Sequence, residues 1–135
     1  MRVVLDTNLF IAALISQNGA PARAYELWRE GRYTLLTSEW QIGELRRVSR
    51  YSKFQHLLVP AEVGTLINGL RRRAEVVEQL PTLDLSRDPD DNFVLATALA
   101  GEADYLVTGD KKDLVPLEKV AGVRVVKVGA FLGLF

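Results

Sequence analysis

Arg2-Val3-Val4-Leu5-Asp6-Thr7-Asn8 runs directly into Leu9-Phe10-Ile11-Ala12-Ala13-Leu14-Ile15, and the character of the chain changes at Asp6. Residues 2–5 are short, branched and apolar, which predicts a buried strand. Asp6, Thr7 and Asn8 are capping residues, and the apolar run from Leu9 to Ile15 predicts a helix behind them. A buried strand feeding straight into a helix is the unit of a parallel α/β sheet, in which ligands bind at the carboxyl ends of the strands. Asp6 stands at such an end.

The same alternation continues along the chain. Pro21 suits a first helical turn, and Ala24, Leu27 and Trp28 repeat at helical spacing up to Gly31. Tyr33 to Thr37 reads as a second strand, and Ser38 with Gln41 three residues later is a capping-box signature opening a helix through about Val48. Tyr51 to Val59 has no clear period. Pro60 opens a helix to about Ala74 that carries Val63, Leu66, Ile67 and Leu70 inward, and Val76 to Gln79 reads as a short strand. Asp88-Pro89 is an N-cap with proline at the first helical position, leading a helix that ends at Gly101. Asp104 to Thr108 and Val123 to Val128 are the remaining strands. The expectation is an α/β fold: a mostly parallel sheet with helices on both faces, formed as one domain over residues 1–135, with no repeat or linker-like tract to divide it.

Composition narrows the chemistry. The 135 residues include no cysteine and one histidine, which removes disulfides and thiolate metal sites. Seventeen basic residues balance seventeen acidic ones, so any contact with nucleic acid must be local. No export signal precedes Asp6 and no apolar stretch is long enough to span a bilayer, so the expectation is a soluble, cytoplasmic protein.

Four acids, Asp6, Glu44, Asp91 and Asp110, fall at or near predicted strand ends. Each has a structural reading: Asp6 can cap a helix, Asp91 can meet a helix dipole beside Asp88 and Asp90, and Gly109-Asp110 is an ordinary turn. Glu44 resists such a reading. At 100° per residue it lies between Trp40 and Val48, on the side turned inward. Arg46 and Arg47 point elsewhere in this reading, and no basic residue occupies the i+4 or i−4 position, so a metal or a buried arginine must compensate the charge. Several carboxylates meeting at one sheet edge repel strongly, and all-oxygen donors suit hard ions such as Mg²⁺ or Mn²⁺. Metal-assisted phosphodiester cleavage follows as the leading expectation. A dehalogenase-type phosphatase needs a second aspartate where Asn8 stands, and a receiver domain needs paired early acids that are absent here. His56 reads as an exposed loop residue, and Trp28 and Trp40 as core or interface residues.

Val3-Val4-Leu5-Asp6-Thr7-Asn8, the helical Glu44, Asp88-Pro89-Asp90-Asp91-Asn92 and Tyr105-Leu106-Val107-Thr108-Gly109-Asp110 together resemble the PIN-domain ribonucleases, in particular the VapC-like toxins of toxin–antitoxin pairs. The resemblance covers essentially the whole chain. It implies a three-layer α/β/α domain that binds one or two Mg²⁺ or Mn²⁺ ions and hydrolyses RNA. Asp6, Glu44 and Asp91 match the central triad and Asp110 the fourth, more variable position, while Thr7, Asn8 and Thr108 match the polar residues that orient them. Many VapC-like toxins have Thr-Arg-Asn at positions 108–110 and an acid near Asp113, so either Asp110 or Asp113 faces the metal. The resemblance also implies a cognate antitoxin and a homodimer. Arg46, Arg50 and Lys111 neighbour the acids in sequence and are candidate RNA contacts. The alternative is a catalytically inactive PIN-like module acting through metal or protein binding.

Overall fold

The computed structural model describes residues 1–109 and 118–135. Strand β1 (Arg2–Leu5) is followed by α1 (Thr7–Ile15), α2 (Ala20–Arg29), β2 (Thr34–Thr37), α3 (Glu39–Ser49) and a 3₁₀ turn (Ser52–Phe54). Then come α4 (Pro60–Arg73), β3 (Glu75–Val76), α5 (Pro89–Ala100), β4 (Tyr105–Thr108), β5 (Lys119–Val120), β6 (Val123–Lys127) and α6 (Val128–Leu132). Asp110, Lys111, Lys112 and Asp113 lie outside the described residues.

The strands form one sheet in the order β3-β2-β1-β4-β6-β5. Every pair is parallel except β5 with β6. Alternation along the strands divides the core, because successive side chains of a strand point to opposite faces. Val3, Leu5, Leu35 and Val107 pack with α1, α2, α3, α4 and Phe131 of α6. Val4, Leu36, Leu106, Val123 and Val125 pack with Val94, Leu95 and Ala98 of α5. Helices therefore cover both faces, as the strand–helix alternation predicts.

Two differences from the sequence reading have plain causes. The strand expected over Val76 to Gln79 is reduced to Glu75–Val76, because Gln79 adopts a positive φ of 57°, which ends an extended ladder. The hairpin β5–β6 was not anticipated. Its turn, Ala121-Gly122, has positive φ at both residues (47° and 87°), the primed geometry that matches the twist of paired strands. A two-residue strand carries no readable period. The apolar ending docks on the core: Phe131 is fully buried and meets Tyr33 and Tyr105 edge-on.

From β1 the chain steps outward through β2 to β3, then returns to the other side of β1 with β4 and continues to β6. The strand order reverses between β1 and β4, and in open parallel sheets the crevice beyond that point is the binding position. Asp6 follows β1 there and Gly109 follows β4. The Asp6 amide donates to the Val107 carbonyl at 2.8 Å, closing the junction.

Candidate metal centre

Asp6 occupies the N-cap position of α1, yet its side chain makes no cap hydrogen bond. Its Oδ2 instead accepts from the Thr108 hydroxyl at 3.3 Å, so the residues ending β1 and β4 are joined across the switch point. Both are buried. The capping explanation that balanced the functional one in the sequence is thus not the role the side chain takes.

Glu44 is brought to the same place by α3. Ser38 caps that helix by accepting from the Gln41 amide at 3.3 Å, which is one half of the anticipated capping box. The other half is absent, because the Gln41 side chain turns to the sheet. It donates through Nε2 to the Leu5 carbonyl at 2.7 Å and accepts through Oε1 from the Thr37 hydroxyl at 2.6 Å. Gln41 therefore ties the carboxyl ends of β1 and β2 to the helix that carries Glu44. The sequence reading spent this residue on the cap and missed its positioning role; a buried glutamine three residues before an inward glutamate was the available signal.

Glu44 is 8% exposed, and its carboxyl is pushed up to about 7. Burial is the largest cause, opposed by a hydrogen bond from Thr7, with further upward pressure from the neighbouring carboxylates Asp90 and Asp6. The expectation that Arg47 points elsewhere is corrected. Its guanidinium reaches back one turn to within 3.6 Å of Glu44 and lies 3.5 Å from Asp90. An i,i+3 pair across a helix surface is as accessible as an i,i+4 pair, so the partner of Glu44 lies three residues along rather than four. Asp90, read as a helix-dipole residue, therefore also adjoins the acidic cluster. Asp88 does cap α5, accepting from the Asp90 amide at 3.0 Å.

Asp91 lies in the first turn of α5, 1% exposed, with the Ser86 hydroxyl 3.4 Å from its Oδ2. The preceding loop is fastened by Asn92, whose Oδ1 accepts from the Leu85 and Ser86 amides and whose Nδ2 donates to the Ser86 carbonyl. Ser86 and Asn92 were not singled out as positioning residues by the sequence. Helices α3 and α5 are held side by side by a hydrogen bond between the Ser38 and Thr97 hydroxyls (3.0 Å) and by Trp40 stacked on Phe93.

Asp6, Thr7, Glu44 and Thr108 thus share one buried neighbourhood, joined at its rim by Asp90 and Arg47. Asn8 is exposed on α1, and Asp91 is engaged by Ser86 at the start of α5. Asp110, Lys111 and Asp113 belong to the residues not described. The donors suit a hard divalent ion in type: all are oxygen, buried, and supported by hydroxyl donors. Among the described residues no three Asp, Glu or His side chains converge into a site that could hold an ion. His56 is exposed on the loop after the 3₁₀ turn, Trp28 is core and Trp40 half-buried, as expected from sequence.

A family model described as PIN domain matches residues 2–112. The chain belongs to the PIN domain family. This PIN domain is 29% identical over 118 residues, 87% of its length, to "Uncharacterized protein MJ1680" of Methanocaldococcus jannaschii, of which the match covers 75%. Its fold resembles that of a chain in the structure of VapBC2 from Rickettsia felis bound to a DNA fragment from their promoter. The likeness has a TM-score of 0.58 at 17% identity and covers 94% of this chain and 98% of that one. The PIN-like fold expected from the motifs is therefore observed, with its mostly parallel sheet flanked by helices. No helix among the described residues is long and apolar enough to cross a membrane.

Proposed function

We propose that this PIN domain is a Mg²⁺- or Mn²⁺-dependent ribonuclease that hydrolyses RNA phosphodiester bonds, acting in the cytoplasm as the toxin of a toxin–antitoxin pair. The observation that carries this reading is Glu44: a carboxyl buried beside Asp6 and Asp90 at the switch point of the sheet, held near pH 7 rather than in its ordinary range. A fold that places carboxylates so closely at its binding edge is relieved by a divalent cation. Asp6 and Glu44, which share one buried neighbourhood, are the core of the ligand set in this reading, to which it adds Asp91 and, from outside the described residues, Asp110.

An ion held by these carboxylates would supply Lewis-acid chemistry, activating a water and offsetting the charge of the phosphate. The chain's own residues do the rest. The Thr108 hydroxyl fixes the Asp6 carboxylate, Thr7 donates to Glu44, and Ser86 steadies Asp91. Glu44, buried beside Asp6 with a hydrogen bond from Thr7, would face the ion as an ionised carboxylate. Arg46 and Arg50 provide cationic contacts for the RNA backbone, as does Lys111.

The VapBC2 fold likeness supports an antitoxin partner, and a homodimer is a further part of the same reading. A second reading, an inactive PIN module that binds metal or protein only, is favoured by the lack of a three-carboxylate site among the described residues. Cleavage of RNA by protein freed of contaminating nuclease separates the two. The expected result is cutting that requires Mg²⁺ or Mn²⁺ and falls at least about 100-fold in Asp6→Asn and in Glu44→Gln, since losing a ligand costs at least as much as losing its outer support. No cutting with either ion establishes the inactive module.

A further inference from the structure

A groove of about 480 Å³ lies on the far side of α3 from Glu44. Its walls are the end of α3, the residues after the 3₁₀ turn and the start of α4. Leu58 and Ile67 make an apolar floor, Arg46 and Arg50 stand at one lip, and Gln55 offers an amide. Neither arginine has an ion-pair partner among the described residues, so both guanidiniums are open to an anionic ligand. Two unpaired guanidiniums over an apolar floor are a receptor for a ligand that is anionic on one side and apolar on the other.

The position of the groove says which ligand. With 3.6 residues per turn, Arg46 lies about 200° around α3 from Glu44, and Arg50, one turn on, lines up with Arg46 at a spacing of about 5–6 Å. The surface between the carboxylates and the groove is the outer face of α3, about 10 Å across. There Gly43 is exposed and a side chain at that position would meet no heavy atom within 4 Å, so a strand can lie close to the helix. Arg47 marks the near edge of this path, and Arg46 and Arg50 the far edge.

We propose that the groove is a nucleotide subsite for single-stranded RNA, a few nucleotides along the strand from the bond that is cut. Arg46 and Arg50 hold successive phosphates, and an unstacked base lies on Leu58 and Ile67 with its edge toward Gln55. The volume falls within the range of about 300–1,000 Å³ of sites that bury small ligands. Single strands are the RNA form whose bases can turn out of the stack into such a pocket. An acidic protein segment would satisfy the arginines, but it would have no reason to follow the open path over Gly43 to the carboxylates. The subsite rests on the ribonuclease reading for its purpose, while its binding can be measured without cleavage.

The test uses the full chain carrying Glu44→Gln, titrated into a fluorescein-labelled, unstructured RNA oligonucleotide, with anisotropy recorded over a salt series. Adding Arg46→Ala and Arg50→Ala is expected to weaken binding on the order of tenfold and to reduce the slope of log K against log salt by about 1.4, the value for two single-strand phosphates. Val63→Asp, at the rim of the groove, is a second probe: it leaves both arginines in place and is expected to weaken binding by repelling the backbone. Unchanged melting temperatures exclude misfolding in either case. RNA affinity and slope that stay the same in the arginine variant overturn the subsite, as does no RNA binding at all. An oligo-glutamate peptide that binds through Arg46 and Arg50 where RNA does not also overturns it. If wild-type protein cuts RNA while the arginine variant cuts with the same KM and salt dependence, the subsite falls and the ribonuclease reading stands. If wild-type protein cuts nothing yet RNA binding depends on the two arginines, the subsite stands and that reading falls.

Discussion

Glu44 shows how one carboxyl can be legible in a sequence while its surroundings are not. Its inward position follows from helical period alone, and so does the cost of burying it. Its neighbours do not: Asp90 arrives from α5, Asp6 from β1, and Arg47 from the next turn of its own helix. A pH dependence follows from the raised carboxyl. In the unfolded chain a glutamate titrates near its ordinary value, so between about 4.5 and 7 the folded state binds more protons than the unfolded one. The stabilisation from the protonated group is complete below the lower value and is lost as pH rises through the upper one. Glu44→Gln is therefore expected to be more stable than wild type at pH 8, by on the order of 1–3 kcal/mol, and nearly equal to it at pH 4. Urea titrations at the two pH values check this; equal stability at pH 8 contradicts it. Adding Mn²⁺ at pH 8 should raise the melting temperature of wild type and not of the variant.

Elements were read well where they are long or carry a cap. Pro60 and Pro89 each open a helix at the first position, Gly101 ends α5, and Ser38 caps α3. Short elements held by pairing alone, β3 and β5, were read poorly, because two residues show no period. What makes α3 and α5 act together is a single buried hydroxyl pair, Ser38 and Thr97, in which Ser38 also caps the Gln41 amide. Ser38→Ala removes both interactions and leaves the Gln41 amide without its acceptor. The expected loss is about 1–3 kcal/mol in urea unfolding, against less than about 0.5 kcal/mol for Ser52→Ala at the exposed 3₁₀ turn. Because Gln41 holds the ends of β1 and β2, the same variant is expected to loosen the buried surroundings of Asp6 and Glu44, seen as faster amide exchange in residues 5–7.

Across the whole molecule, α5 packs Val94, Leu95 and Ala98 against Val4, Leu36 and Leu106 of the sheet. Gly101, at the end of α5, leaves no room for a side chain: a Cβ there would come within 2.8 Å of the Leu36 side chain, 2.9 Å of Val77 and 3.1 Å of the Thr97 carbonyl. Gly101→Ala is expected to cost about 1–3 kcal/mol and to lower the melting temperature by about 3–10 °C, measured by circular dichroism. An unchanged melting temperature would mean that the helix end can shift freely. The sequence by itself determined the strand–helix alternation, the parallel sheet, the inward place of Glu44 and the motifs of the PIN family, because all of these rest on local periodicity and on residues with fixed backbone preferences. Only the tertiary structure decided that β1 and β4 lie side by side, that Asp6 answers to Thr108 102 residues away, that Gln41 serves the sheet rather than its own helix, and that Arg47 meets Glu44 and Asp90. Those outcomes depend on long-range packing, where one side chain can satisfy several partners and sequence spacing does not choose among them.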